Sequence, residues 1–171
     1  MVFCSTFDKH FQLVDRTPIP NVTICTLDPE TGEAKNSWGS NMFYVPHGLA
    51  VDLAGNTYIT DVGLHQVMRV SKTTNLNTIS SESWPSRVSC CSRISPSEVM
   101  HNYLQFPPNS DKPDLVLGEA FVPGSDEKHF CQPTSLAVSE ATGTFFVADG
   151  YCNSRILKYN KDGKLLKIIS E

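Results

Sequence analysis

Two short motifs in this 171-residue chain carry side chains able to do chemistry. The first is Pro46-His47-Gly48, within FYVPHGLAVD. A neutral imidazole binds metal ions or moves protons near neutral pH. The second is Asp149-Gly150-Tyr151-Cys152, in which a phenol sits beside a cysteine at the end of a strand-like run. Read from the residues alone, a lone histidine opening a strand and a tyrosine next to a cysteine are ordinary packing residues. A third motif, Asn21-Val22-Thr23, is an acceptor sequon for N-glycosylation.

The elements around these residues are short strands. Within His129–Tyr159, Leu136–Val138 and Thr144–Ala148 are apolar runs separated by Glu140-Ala141-Thr142-Gly143, the pattern of a hairpin. Facing residues of an antiparallel pair have numbers of constant sum, and a turn centred between Ala141 and Thr142 sets that sum at 283. Cys131 and Cys152 satisfy it, which places them across the open end of the hairpin within disulfide reach. Closing that loop stabilises by about 3 kcal/mol. Two free buried thiols are the alternative.

The hairpin belongs to a repeat. Pro46–Asp52, a turn at Leu53–Asn56, Tyr58–Asp61 and Gln66–Val70 form one unit; Pro133–Val138, Phe145–Asp149 and Arg155–Tyr159 form its copy. A further strand, Lys164–Ile169, follows the turn Lys161-Asp162-Gly163. Short antiparallel strands with an aspartate closing the second are a propeller-blade pattern. Upstream, Asn21–Pro29 reads as a strand and Asn36–Met42 as a loop. The expected fold is all-β, a partial propeller of about two blades.

Pro46 and Pro133 stand 87 residues apart, whereas blade repeats run about 40–50. The excess lies in Val70–Gln105, a Ser-rich stretch without a hairpin pattern; removing its 36 residues brings the repeat to 51. The chain therefore divides into 1–69, the first part of the propeller, 70–105, an insert, and 106–171, the second blade. Ser95-Pro96-Ser97-Glu98 carries a helix N-cap, a proline at the first helical position and a capping-box glutamate, followed by Val99, Met100, Tyr103 and Leu104 at helical spacing. A loop with one short helix is the structural reading of the insert.

Composition bounds the function. A net charge of −4 from mixed residues gives no support for nucleic-acid binding. No apolar run approaches the ~18 residues of a membrane helix, and Met1–Phe11 meets charge too early to be a signal-peptide core. Six cysteines and the Asn21 sequon fit an oxidising compartment, so an export signal is expected upstream of Met1. Adjacent Cys90-Cys91 match no zinc spacing, and Cys25 reads as a small buried hydrophobe.

HFCQPTSLAV, VADGYCNSRI and FYVPHGLAVDLAGNTYITDVGLHQV resemble the peptidyl-α-hydroxyglycine α-amidating lyases, over about Ser5–Arg69 and Phe106–Glu171. The resemblance implies a six-bladed β-propeller of NHL-like repeats that converts a peptidyl-α-hydroxyglycine into the peptide amide and glyoxylate. It implies a zinc held on the axis by three histidines from Pro-His motifs, of which His47 is one, leaving a coordination position open. In the second unit Thr134 stands where His47 stands in the first. It also implies a structural calcium bound by the Leu49 carbonyl, although a core role for Leu49 is equally open. Tyr151 matches the base that takes the α-hydroxyl proton, a role needing a phenol pKa of ~10 lowered by nearby cations.

The family's active-site arginines have no match in this chain. Arg155 reads as a blade stabiliser, Asp61 and Asp149 as acceptors for turn amides, and His10, His65, His101 and His129 as residues without a ligand role. Nothing in the family matches Val70–Gln105, which is expected to be a retained in-frame intron; Val-Ser-Lys and Gln105 can be encoded by splice-donor and splice-acceptor patterns. The chain is expected to be a piece of the enzyme, inactive alone, working in the secretory pathway with a peptidylglycine hydroxylating enzyme or domain. A non-catalytic NHL-type fragment that binds a protein partner is the alternative, and a small disulfide-rich secreted binding protein a third reading.

Overall fold

A computed structural model describes residues 2–3, 16–71 and 112–170. These residues form strands and no helix. β1 (Val2–Phe3), β2 (Ile24–Leu27) and β3 (Ala34–Trp38) make a three-stranded sheet. β4 (Pro46–Val51), β5 (Thr57–Asp61), β6 (Gln66–Val70) and β7 (Leu115–Leu117) make a second sheet, and β8 (Ser135–Val138), β9 (Phe145–Asp149), β10 (Arg155–Tyr159) and β11 (Leu165–Ser170) a third. All pairings are antiparallel between sequence neighbours. This is the meander of a propeller blade, and the fold is a partial β-propeller.

The β8–β9 hairpin has the register expected from its turn: Ser135 faces Ala148, and Val138 faces Phe145, each pair summing to 283. The turn closes through Ser139 N–H to the Thr144 carbonyl and Gly143 N–H to the Ser139 carbonyl. Gly143 supplies the positive φ of +66° that this closure needs and that a side chain would resist.

Two elements differ from the sequence reading. Asn36–Met42 was expected as a loop, yet Ala34–Trp38 is a strand paired with β2, from Trp38 opposite Ile24 to Ala34 opposite Leu27, with an irregularity at Lys35. Its residues have little β-propensity; cross-strand pairing and the burial of Trp38, edge-on to Phe43 at 6.2 Å, supply what propensity lacks. The other difference is β7, which lies beyond Phe106 in sequence but hydrogen-bonds to β6 and completes the second sheet. Asp114 ties the two together, accepting from the Arg69 guanidinium and from Ser71 N–H. Residues 72–111 are thus the connection between two adjacent strands of one sheet. The helix expected at Ser95–Leu104 and the cysteines Cys4, Cys90 and Cys91 lie outside the described residues. Cys25, read as a small buried hydrophobe, is buried and is also disulfide-bonded; it stands on β2 opposite Val2 of the edge strand β1.

Packing repeats from sheet to sheet. Ile24, Trp38 and Phe43 of the first unit bury against Ile59, Met68 and Val70 of the second. On its other face the second sheet presents Tyr58 and Val67 to Phe145, Val147, Leu157 and Tyr159 of the third. Each such side chain taken from water contributes about 1.5–3 kcal/mol, so these two seams order the three sheets. A contact of a cation with a ring recurs as well: Arg69 lies 5.9 Å from the Tyr58 ring in one sheet, and Lys158 lies 5.3 Å from the Phe146 ring at the matching place in the next.

Candidate functional site

The site begins with an irregularity in β4. Pro46 pairs with Asp61 and Gly48 pairs with Thr60, so His47 is the extra residue of a β-bulge. A bulge frees one side chain from the alternation of the sheet and re-aims it. Here it turns His47 toward the start of the third sheet, where Nδ1 lies 2.6 Å from the Thr134 carbonyl oxygen and Nε2 lies 3.1 Å from the Tyr151 hydroxyl. The two rings meet edge to face, 5.5 Å between centroids and 88° between planes.

Tyr151 reaches this point from the strand after next. β9 ends at Asp149, Gly150 turns the chain, and Tyr151 projects with 61 % of its surface exposed. Cys152 is bonded to Cys131 with Cα atoms 5.5 Å apart, the pairing expected from the register. The disulfide fastens the tyrosine loop to the segment that enters β8.

Asp61 and Asp149 hold the rim. Asp61 is fully buried and accepts hydrogen bonds from the backbone N–H groups of Tyr44, Val45, Gly63 and Leu64. Burial pushes its carboxyl above the ordinary aspartate range, against the pull of those amides. Asp149 accepts from Cys131 N–H, from the Asn153 amide and from the Arg155 guanidinium at 3.0 Å. Arg155 also donates to the Ser125 and His129 carbonyls, so it is a structural cation, as the sequence suggested.

Other expected residues fall into place. His65, at a φ of +57°, accepts from Gln132 N–H through Nδ1, and burial holds its pKa below the usual histidine value. His129 pairs with Asp126 and Glu119, which raise its pKa. Leu49 packs its side chain on the core between the first two sheets. Asn21 is exposed. His10 and His101 lie outside the described residues.

Sequence reasoning missed the contact between His47 and Tyr151, and the roles of Gly48 and the Thr134 carbonyl. The signal was present in the 87-residue spacing that makes His47 and Thr134 equivalent. Equivalent positions of consecutive blades are neighbours around a propeller axis.

The donor set bears on a metal. A carbonyl oxygen only accepts, so Nδ1 of His47 carries the hydrogen and Nε2 presents its lone pair, the state of a metal-ligating imidazole oriented by a backbone carbonyl. Among the described residues no three His, Cys, Asp or Glu side chains come close enough to hold an ion. His47 thus fits one corner of a metal centre and no more.

Residues 130–159 match the NHL repeat family. Over 98 % of its length the chain is 44 % identical to peptidyl-alpha-hydroxyglycine alpha-amidating lyase 2 of Drosophila melanogaster. The chain is a relative of the amidating lyases. The likeness extends to lyase 1 of the same fly, 42 % identical over 95 % of the chain, and to peptidyl-glycine alpha-amidating monooxygenase B of Xenopus laevis, 40 % identical over 95 %. The chain spans 32 % of the length of the first of these relatives, 24 % of the second and 15 % of the third. The lengths matched take in nearly the whole chain, and the NHL match covers β8, β9 and β10 of the third sheet.

Proposed function

We propose that this chain supplies one face of a zinc-dependent lyase site that splits a peptidyl-α-hydroxyglycine into the peptide amide and glyoxylate. The observation that carries the reading is the 3.1 Å approach of Tyr151 to His47, two groups 104 residues apart that the fold brings to one rim. When bound, zinc would supply Lewis-acid polarisation of a substrate oxygen. His47 would offer Nε2 as one of its ligands. Tyr151, ionised to the phenolate, would take the proton of the α-hydroxyl; the hydroxyl oxygen would form the carbonyl of glyoxylate as the C–N bond breaks, and the electrons of that bond would leave with the amide nitrogen, which gains the proton. The Cys131–Cys152 bond holds the phenol where this transfer requires it.

The setting supports the same reading. Disulfides at Cys25 and Cys131–Cys152 and an exposed sequon at Asn21 suit the secretory pathway. The Leu49 carbonyl as a calcium ligand, glycosylation at Asn21 and cooperation with a peptidylglycine hydroxylating enzyme complete the proposal. No helix among the described residues is long and apolar enough to cross a membrane.

A chimera tests it: this chain replaces the matching third of the Drosophila relative, and glyoxylate release from a peptidyl-α-hydroxyglycine is measured with and without zinc. Turnover in the chimera, with loss of at least ~100-fold in Tyr151→Phe and His47→Ala, is the expected result. A folded chimera whose turnover is indifferent to both substitutions would refute the assignment.

A further inference from the structure

The seam between β4 and β8 is closer than side chains ordinarily allow. A methyl group on Gly48 would lie 2.8 Å from Ser135 Cα, 2.8 Å from Thr60 Oγ1 and 3.0 Å from the Thr134 carbonyl oxygen. Two of those three are backbone atoms, which cannot swing away. Gly48 N–H also donates to Thr60 Oγ1 at 2.7 Å, which seats the residue after the bulge. Only the missing side chain lets the two inner strands approach this far.

On the other side of the seam, Thr134 is held from two directions. Its N–H and its hydroxyl both donate to the Ala148 carbonyl, at 2.8 and 3.2 Å. The residue two positions earlier, Gln132, is bound through its N–H to His65 in the turn after β5. Gly150, which carries Tyr151, passes so near that a Cβ there would meet Thr134 Oγ1 at 3.3 Å. Thr134 is therefore the point where the histidine strand, the tyrosine loop and the third sheet meet.

We propose that Gly48 and Thr134 are positioning residues that fix the tautomer and aim of His47: the Thr134 carbonyl holds the hydrogen on Nδ1, and the bare Gly48 keeps that carbonyl within reach, so that Nε2 faces the Tyr151 hydroxyl. The inference builds on the proposed role of His47 but is a statement about the free protein. In a neutral imidazole the tautomer follows the hydrogen bond that one ring nitrogen makes, and here that bond is to a segment of the neighbouring blade. The arrangement is that of an oriented metal-ligating histidine, where loss of the orienting partner costs about 10–100-fold in affinity or activity.

The test is long-range proton–nitrogen NMR on the uniformly labelled 171-residue chain at alkaline pH, where imidazoles are neutral, with assignment by His47→Gln. Expected are an Nδ1–H tautomer for His47, a hydrogen-bond coupling from its Nδ1 to the Thr134 carbonyl carbon, and loss of both in Gly48→Ala with the Cys131–Cys152 bond intact. An Nε2–H tautomer in the wild type overturns the proposal, as does a folded Gly48→Ala protein that keeps the wild-type signature. If Gly48→Ala does not fold, the wild-type tautomer and coupling decide alone. Because no substrate is involved, a chimera without lyase turnover leaves this result standing, and a wrong tautomer leaves the lyase assay unaffected.

Discussion

Arg155 grips Asp149 at 3.0 Å in a position where the preceding blade has no cation, and where Asp61 is instead satisfied by four backbone amides. Asp149 is fully buried and Arg155 nearly so. Removing Arg155 leaves a buried carboxylate without its counter-charge. Arg155→Leu is expected to destabilise the chain by about 3–5 kcal/mol in urea denaturation. Arg155→Lys is expected to rescue little of this, since one ammonium cannot replace the contacts to Asp149, Ser125 and His129 together. A loss below about 1 kcal/mol for the leucine variant would show that the pair is dispensable.

The Cys131–Cys152 bond closes a loop of 21 residues. Replacing both cysteines by serine is expected to cost about 3 kcal/mol and lower the melting temperature accordingly. Because the bond flanks Tyr151, the same variant is expected to lose the ring contact between Tyr151 and His47, read as a change in the Tyr151 ring-proton shifts. Unchanged shifts would mean that β9 alone positions the phenol.

His65 makes the seam between the second and third sheets sensitive to acid. Its folded pKa lies below the ordinary value near 6.5, because burial disfavours the charged ring. The unfolded chain then takes up the proton first. Its contribution to stability is full above about pH 6.5 and is lost as the pH falls through the depressed folded value. Protonation also removes the acceptor for Gln132 N–H. His65→Asn tolerates the positive φ and keeps an acceptor; the difference in unfolding free energy between wild type and this variant is expected to change across that window. A constant difference from pH 5 to pH 8 would rule the switch out.

The connection 72–111 leaves and returns at one point, where Asp114 binds Arg69 and Ser71. Replacing residues 73–110 by a turn of about four residues is expected to preserve the β-sheet circular dichroism and to raise stability by up to about 2 kcal/mol, because closing a shorter loop costs less entropy. Loss of folding would show that the segment belongs to the core.

Much of the architecture was readable because strands announce themselves by alternation and turns by glycine. The constant sum of facing numbers placed Cys131 against Cys152 from one turn alone. β3 was not readable, since Lys35, Asn36 and Ser37 favour no strand and form one only because β2 offers open hydrogen-bonding groups. The attachment of β7 to the second sheet was hidden by the long connection before it.

What the residues determined unaided was local: the hairpin register, the repeat, the disulfide and the types of side chain available for chemistry. Only the packing of one sheet on the next decided that His47 and Tyr151 meet, that a carbonyl from another blade sets the imidazole, and that a glycine permits it. Local order follows from interactions between near neighbours along the chain, which a sequence displays. Contacts between blades depend on how far two sheets can approach, and that distance is set by side chains far apart in sequence acting together.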